Sequence, residues 1–339
     1  MNKLGIWGAV AALPLSGLAQ TVAAETDINF TLDWKYQGPT AAFIVAEEKG
    51  YFDDEDLDVT IDSGNGSAGA VTRVASGAYQ MGFADINALV EFNANNPGQT
   101  VQCVMMMYDA PPFGLYTLKS SGITEPGDLV GRTLGAPVFD ASYKLFPAFA
   151  SQTGIDPAAV PRINMDPPLR EAMLVRGEVD VISGHYFSSL LDLISKGVPQ
   201  DDIVVMLYAD HGMDFYGNAL IASSAFIDEN PEAVAAFNRA VARGLKDVLA
   251  DPDGAVELVA KYDPLIDQDL ERQRLDMAIN QNILTPHVQE NGFGTIDEAR
   301  MARAIDQLAV ALDLADKPTV EDIWTGDFLP DAGDRMLTP

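Results

Sequence analysis

Strand-length apolar runs alternate with helical runs along the first two thirds of the chain, and glycines sit at many of the junctions. An α/β fold with largely parallel sheets needs this order, because a parallel neighbour can be reached only through a crossover long enough to hold a helix. Asn29 to Trp34 reads as a strand, Pro39 to Glu48 as a helix stopped by Gly50, and Leu57 to Ile61 as a second, alternating strand. Ser67 to Ser76 reads as a helix ended by Gly77, Met81 to Ala84 as a buried strand, Asn87 to Asn93 as a helix and Val101 to Met107 as a strand. A second series begins at Phe113, with strands at Gly114 to Leu118, Thr133 to Ala136 and Val179 to Ile182. Its helices lie near Ser142 to Gln152 and Leu169 to Arg176.

The two series share a piece. Val74 to Phe83 and Leu174 to Ser183 align at an offset of 100 residues, each running from a helix end through a glycine, Gly77 or Gly177, into a buried strand. Any α/β chain contains such pieces, so the match fits two similar lobes without requiring them. At roughly 150 residues per domain, 339 residues imply about two domains. Beyond residue 217 one strand, Asn218 to Ala222, precedes helices. Asn230-Pro231 opens one whose Val234, Phe237, Val241, Leu245 and Val248 share a face, and Pro252 closes it. Thr295 to Glu298 reads as a capping box ahead of Met301, Ile305, Leu308 and Leu312. These stripes are core faces, and the Pro- and Asp-rich tail from Lys317 is expected along the surface.

Charge removes several partners. The chain sets 21 Lys and Arg against 50 Asp and Glu, a formal net charge of −29, which a phosphate backbone or an anionic leaflet would repel. Nucleic acid is therefore not an expected partner. The 47% hydrophobic content is ordinary for a folded protein, so the acidity belongs to the surface of a normal core. Residues 1–24 read as a cleaved export leader: Lys3 supplies the positive end, Leu4 to Leu18 the apolar stretch, and Val22-Ala23-Ala24 the small residues before a cut at Glu25. Loss of Lys3 with that leader brings the charge to −30. No later run approaches the roughly 18 to 20 continuous apolar residues of a spanning helix. Cys103 is the one cysteine, without an intrachain partner, and reads as a small buried residue.

Motifs for chemistry are sparse. His185, His211 and His287 do not have the spacing of a metal cluster, and no metal or cofactor is expected. Gly64 to Gly69 spells Gly-x-Gly-x-x-Gly after a strand and at a helix start. The strand is the second of its series, however, and Asp85, about 20 residues on, sits at a crowded strand end, which argues against a dinucleotide site. The turn still offers backbone N–H groups and a helix dipole to a small ligand. Other loops after strand C-termini hold Trp34 to Gln37, Asp85 to Asn87, Tyr108 to Phe113, Phe139 to Ser142 and Ser183 to Phe187. Aromatic faces with short polar side chains describe a small-molecule cleft. The same residues have plainer roles open to them: Trp34 and Tyr36 as half-buried packing, Asp85 and Asp140 as helix N-caps, His185 as a surface residue.

Thr31 to Tyr36, Ala46 to Phe52 with its Lys-Gly-Tyr-Phe, Leu57 to Val59, Ala75 to Gly77 with Phe83 to Asp85, Gly122-Ile123 with Asp128 to Gly135, and Val175 to Asp180 are specific in combination. Over about residues 28 to 250 the chain resembles the ABC-transporter periplasmic binding proteins of the nitrate, sulfonate, taurine and thiamine-pyrimidine-precursor group. The resemblance implies a type 2 periplasmic-binding fold: two α/β lobes with a ligand cleft between them, joined by crossings near Ala110 to Pro112 and Asp210 to Gly217. Residues 25–110 would begin lobe 1, 111–215 form lobe 2, 216–325 return to lobe 1, and 326–339 form a surface tail. It also implies a periplasmic monomer that hands a small-molecule solute to a permease in the inner membrane.

By position, Asp33, Trp34 and Tyr36 resemble the aromatic wall of pyrimidine-precursor binders, and Asn65 and Ser67 resemble the helix start that meets the ligand in sulfonate and taurine relatives. The expected ligand-binding set is Trp34, Tyr36, Asn65, Ser67, Asp85, Asn87, Phe113, Asp140, Ser142, His185 and Tyr186. Lys35, Arg73, Lys144 and Arg170 lie near these loops, none at a position the sequence marks as an anion clamp. A planar heterocycle suits Trp34, Tyr36, Phe113, Tyr186 and Phe187 better than a sulfonate or another small organic acid. The alternative is an exported enzyme on the same scaffold, using His185 with Asp140 or Asp85 as acid and base. The cysteine cluster of the eukaryotic pyrimidine synthase branch of this group is missing from the sequence, which favours a receptor.

Overall fold

A computed structural model describes residues 25–337; the leader read over residues 1–24 lies outside the described residues. In chain order the strands are β1 (Thr26–Thr31), β2 (Leu57–Asp62), β3 (Met81–Asp85), β4 (Val101–Met106), β5 (Phe113–Leu118), β6 (Leu134–Ala136), β7 (Arg162–Asn164), β8 (Val181–His185), β9 (Ile203–Leu207) and β10 (Asn218–Ser223). They form two five-stranded sheets, ordered β2-β1-β3-β10-β4 and β7-β6-β8-β5-β9. The helices are α1 (Ala41–Glu48), α2 (Ser67–Ala75), α3 (Ile86–Asn95), α4 (Ala141–Gln152), α5 (Arg170–Val175), α6 (Tyr186–Ser195), α7 (Ser224–Glu229), α8 (Pro231–Ala250), α9 (Pro252–Tyr262), α10 (Gln268–Ala278), α11 (Pro286–Asn291), α12 (Glu298–Ala311) and α13 (Val320–Ile323).

The sheets share one topology. In each, a central strand pairs in parallel with two neighbours, β1 with β2 and β3, β6 with β7 and β8. The next place is filled by an antiparallel strand, β10 in one sheet and β5 in the other. Four strands of each sheet thus share one direction and the fifth opposes them, because each sheet receives a strand at the point where the chain passes between lobes. The 100-residue echo falls on equivalent units: α2 turns into β3 through Gly77 and α5 into β8 through Gly177, with φ of +75° and +70°. At both turns the glycine N–H donates to the carbonyl three residues back, at 3.0 Å, a helix ending that favours a residue without a Cβ.

The chain leaves the first sheet after Met106 and returns at Asn218. The two crossings are bonded to each other: Tyr108 N–H donates to Asn218 O at 2.8 Å and Gly217 N–H to Tyr108 O at 2.9 Å. Contacts also span the lobes away from these crossings. Lys144 Nζ reaches Glu91 at 2.9 Å, Arg274 Nη2 reaches Asp192 at 2.6 Å, and Ala68 N–H donates to Phe139 O at 3.2 Å.

Several expectations change. The first strand ends at Thr31 instead of Trp34, so Asp33 and Trp34 lie in the loop beyond it. Strand β7 escapes sequence reading because all three residues are exposed, and β9 because an antiparallel edge strand falls outside the β-α alternation. Helix α12 is capped by Asp297, whose carboxylate accepts from Arg300 N–H, whereas the Thr295 hydroxyl donates to Gly292 O. The tail runs along the surface and is anchored at a few points: Ile323 is fully buried, Thr325 N–H donates to Cys103 O, and Asn238 donates to Phe328 O.

The core of the first lobe is a connected set of rings. Phe30 meets Phe43 and Phe237 at centroid distances of 5.0 Å, Phe43 meets Phe83 at 5.1 Å, and Phe83 meets Tyr108 edge-on at 5.3 Å. Helix α8 closes over α1, and Gly244 permits the contact, since a Cβ there would collide with the Ala42 carbonyl oxygen. Gly244→Ala gains at most ~1 kcal/mol of helix propensity and loses about 2–3 kcal/mol to overpacking. Its Tm is therefore expected to fall by several degrees, whereas Gly98→Ala, with nothing near its Cβ, leaves Tm unchanged; thermal unfolding of both variants checks this.

Candidate ligand-binding cleft

Between the lobes lies a cleft of about 470 Å³, open solvent at its mouth included. The first lobe supplies the loop after β1, with Asp33, Trp34 and Gln37, and the start of α2 at Gly66 and Ser67. The second lobe supplies Asp140, Arg170, His185, Phe187 and Ser188. Phe83 and Tyr108 extend the aromatic core to the cleft wall, where Tyr108 meets Phe187 edge-on at 6.0 Å. Gln37 Oε1 accepts from Ser188 Oγ at 2.7 Å, a direct hydrogen bond between lobes.

Arg170 organises the second-lobe wall. It opens α5 and is 1% exposed. Its Nε donates to Glu171 at 2.7 Å and its Nη1 to Asp140 Oδ2 at 3.4 Å, while its Nη2 has no partner among the described residues. The guanidinium lies 5.0 Å from the Trp34 ring centroid, a cation–π contact across the cleft. Burial opposes the charge, but the Glu171 and Asp140 carboxylates outweigh it and hold the pKa above the ordinary value. Gly184 on β8 makes room for this group: a Cβ there would collide with Ser189 Oγ and press on Arg170 Nη1. Trp34 Nε1 is likewise buried without a partner.

Two buried aspartates, Asp33 and Asp140, line the cleft, and a third, Asp85, is buried at the start of α3. Asp33 Oδ2 accepts from Asn218 Nδ2 at 2.8 Å and from Ser67 Oγ at 3.4 Å. Burial pushes its pKa up to about 7 against those hydrogen bonds, and Asp140 adds to the rise. Asp140 caps α4, accepting from Tyr143 N–H at 2.9 Å and Ser183 Oγ at 3.2 Å; burial raises its pKa too, opposed chiefly by Arg170. Asp85 caps α3 through Asn87 N–H and Ala88 N–H and accepts from Asn87 Nδ2 at 2.7 Å; burial moves its pKa to about 7. His185 packs between Phe113 and Phe187, at 5.6 and 5.5 Å. Burial, with Arg170 nearby, lowers its pKa to about 3, so the imidazole is neutral near pH 7.

Of the residues picked out in the sequence, Trp34, Ser67, Asp140 and His185 line the cleft. The others stand elsewhere. Tyr36 donates to Ile61 O and packs on Tyr262, Asn65 is exposed, and Asn87 is held between Asp85 and Tyr216 O. Asp85 is spent on its helix cap, Phe113 sits behind His185, Ser142 is buried within α4, and Tyr186 donates to Met277 O. Among the described residues no hydrogen bond joins His185 to Asp140 or Asp85, the pair an acid–base reading needs. Arg170, which the sequence does not mark as a ligand contact, also lines the cleft. Its only sequence signal is an Arg-Glu pair after Pro167-Pro168 in a chain poor in cations. Of the other cations considered, Lys35 lines the cleft with its Nζ 5.9 Å from the Trp34 ring centroid, Lys144 is paired with Glu91, and Arg73 bonds Thr31 and Ser63 at the end of β1.

Two like lobes hinged by a double crossing, with a buried cleft between them, define the periplasmic binding protein fold. The alkanesulfonate-binding protein SsuA of Xanthomonas axonopodis pv. citri superposes with a TM-score of 0.67 at 13% identity, over 89% of this chain and 99% of that one. The chain belongs to the NMT1/THI5-like family, whose model matches residues 38–255. Among similar proteins, the riboflavin-binding protein RibY of Chloroflexus aurantiacus is 29% identical over 86% of this chain and 82% of its own. The 4-amino-5-hydroxymethyl-2-methylpyrimidine phosphate synthase of Aspergillus parasiticus is 30% identical over 73% of each chain. The formylaminopyrimidine-binding protein of Halalkalibacterium halodurans is 26% identical over 83% of this chain and 87% of its own.

The Asp85 carboxyl gives a test of sign. Its folded pKa of about 7 lies above the ordinary 3.8, so the folded state holds the extra proton between about pH 4 and 7 and the group's contribution declines as pH rises through that window. Asn keeps the helix cap without the buried charge. Asp85→Asn is therefore expected to shrink the loss of unfolding free energy between pH 5 and pH 8; urea titrations of both proteins at the two pH values measure it.

Proposed function

We propose that this protein is an exported solute receptor that closes its lobes on a small, planar, uncharged heterocycle and delivers it to the permease of an ABC importer. The carrying observation is the Arg170–Trp34 stack, which joins the lobes across an otherwise aromatic cleft. The cleft's buried guanidinium, Arg170, is already faced by two carboxylates, Asp140 and Glu171, which leaves Lys35 as the cation of the lining without such a pair. Two relatives named for flavin and pyrimidine ligands support a heterocycle, and the leader read over residues 1–24 supports export.

The synthase name of another relative makes an enzyme the competing reading. A receptor is supported over it by His185, neutral near pH 7 and packed between rings without a carboxylate partner, a poor general base.

Ligand-free protein screened against a metabolite panel should show a rise in Tm with flat heterocycles and no chemical change in them. Conversion of a bound compound, followed by mass spectrometry, would sink the receptor reading. Trp34→Ala should weaken binding of whichever heterocycle is found by at least about tenfold, since it removes a buried ring and a cation–π contact. Its Tm without ligand should stay within a few degrees; calorimetric titration and thermal unfolding check the two halves of the claim.

A further inference from the structure

Helix α10 comes from the segment after the second crossing and touches both lobes. It packs on α9 and on the first-lobe turn Gly38–Thr40, and also on α6 of the second lobe. Gly38 permits the first of these approaches, since a Cβ there would collide with the Glu271 carbonyl oxygen. Glu271 and Arg274, three residues apart on one face of α10, are both buried and serve different lobes. Glu271 Oε2 accepts from Gly38 N–H at 2.8 Å, whereas Arg274 Nη2 donates to Asp192 Oδ1 on α6 at 2.6 Å. Arg274 Nε stands 3.4 Å from Glu271 Oε1, so the two charges face each other.

These contacts close into a ring. Ser188 lies four residues before Asp192 on the same face of α6, and its Oγ donates to Gln37 Oε1, beside Gly38, at 2.7 Å. The path therefore runs through Asp192, Arg274, Glu271, Gly38, Gln37 and Ser188, and crosses between lobes twice. Tyr186 Oη donates to Met277 O at 2.8 Å and adds a third crossing, again from α6 to α10. Among the described residues the bond to Asp192 is the one hydrogen bond that the Arg274 guanidinium makes, because its Nε and Nη1 have none. Parting the lobes would leave that buried group without any, which is costly.

We infer that α10 is a clamp between the lobes, and that Arg274 is a positioning residue which sets the balance of open and closed forms before a solute arrives. Gln37 and Ser188 line the cleft, and Lys35 in the same lining favours the charge of Glu271, so the clamp is tied to the cleft wall. A closed form populated in advance raises apparent affinity in proportion to its share, because the solute then has less closing to drive. This rests on the receptor reading for the motion of the lobes and is independent of the solute's chemistry.

Small-angle scattering of the ligand-free mature protein tests the clamp, with circular dichroism to confirm that each variant is folded. The unaltered protein should scatter as the closed form. Arg274→Met keeps the apolar stem and removes the charge, and should lower the closed-to-open ratio at least tenfold, read as a larger radius of gyration at unchanged helix content. Asp192→Asn, at a less buried position, makes the same test from the second lobe and decides it if Arg274→Met does not fold. The double variant should open no further than Arg274→Met alone, since both changes remove one interaction, and Arg274→Lys should restore part of the closure. Lys144→Met breaks a more exposed ion pair between the lobes and should change the scattering least. An open unaltered protein, or folded variants that lose Tm yet stay closed, would overturn the clamp. Neither result touches the receptor reading, which the metabolite screen decides.

Discussion

A guanidinium buried to 1% exposure is the constraint around which the cleft is built. Isolated, such a charge would be intolerable, and here three groups from different parts of the chain make it tolerable. Glu171 is its neighbour in sequence, Asp140 comes from the loop after β6, and Trp34 comes from the other lobe. Each has a second role. Asp140 also caps α4, so the helix start and the charge balance are one arrangement. Gly184 must lack a side chain for the arginine to lie against β8. The stack on Trp34 exists only while the lobes are together, so the closed cleft and the state of this arginine are linked.

The two lobes show how one topology serves two ends. Each sheet has the same order and the same glycine turn before its third parallel strand, yet the loops beyond the equivalent strands differ in chemistry. After β1 the chain places Asp33 and Trp34 in the cleft; after β6 it places Asp140. Ligands in open α/β sheets bind at the C-terminal ends of strands, and two such ends facing one another make a site that neither lobe holds alone. The pairing of Tyr108 with Gly217 and Asn218 binds the two crossings into one short ribbon, a joint about which such lobes can turn.

Acidity plays no part in this chemistry. Many carboxylates sit on exposed faces, often paired with lysine or arginine, as Glu55 is with Arg239 and Asp54 with Arg243. Such exposed pairs contribute little to stability, and the excess negative charge acts mainly on solubility and on long-range approach of charged solutes. The buried aspartates, Asp33 in the cleft and Asp85 at the α3 cap, are a different population, governed by desolvation rather than by net charge.

What the sequence determined by itself was local or repeated. The β-α alternation, the glycines that end helices, the caps at Asp85 and Asp140 and the echo between Gly77 and Gly177 depend on residues close in the chain, and they were legible for that reason. The family resemblance carried the two-lobe fold with a cleft between the lobes. Tertiary structure alone decided which loop residues line the cleft. Tyr36, two residues from Trp34, turns to the β2 edge and Tyr262, while Arg170, unremarkable in sequence, becomes the buried centre of the site. It also decided that β5 and β10 stand antiparallel, since only the meeting of distant segments sets a strand's direction. Burial and hydrogen-bond saturation are properties of the assembled surroundings, and a residue's own letter does not carry them.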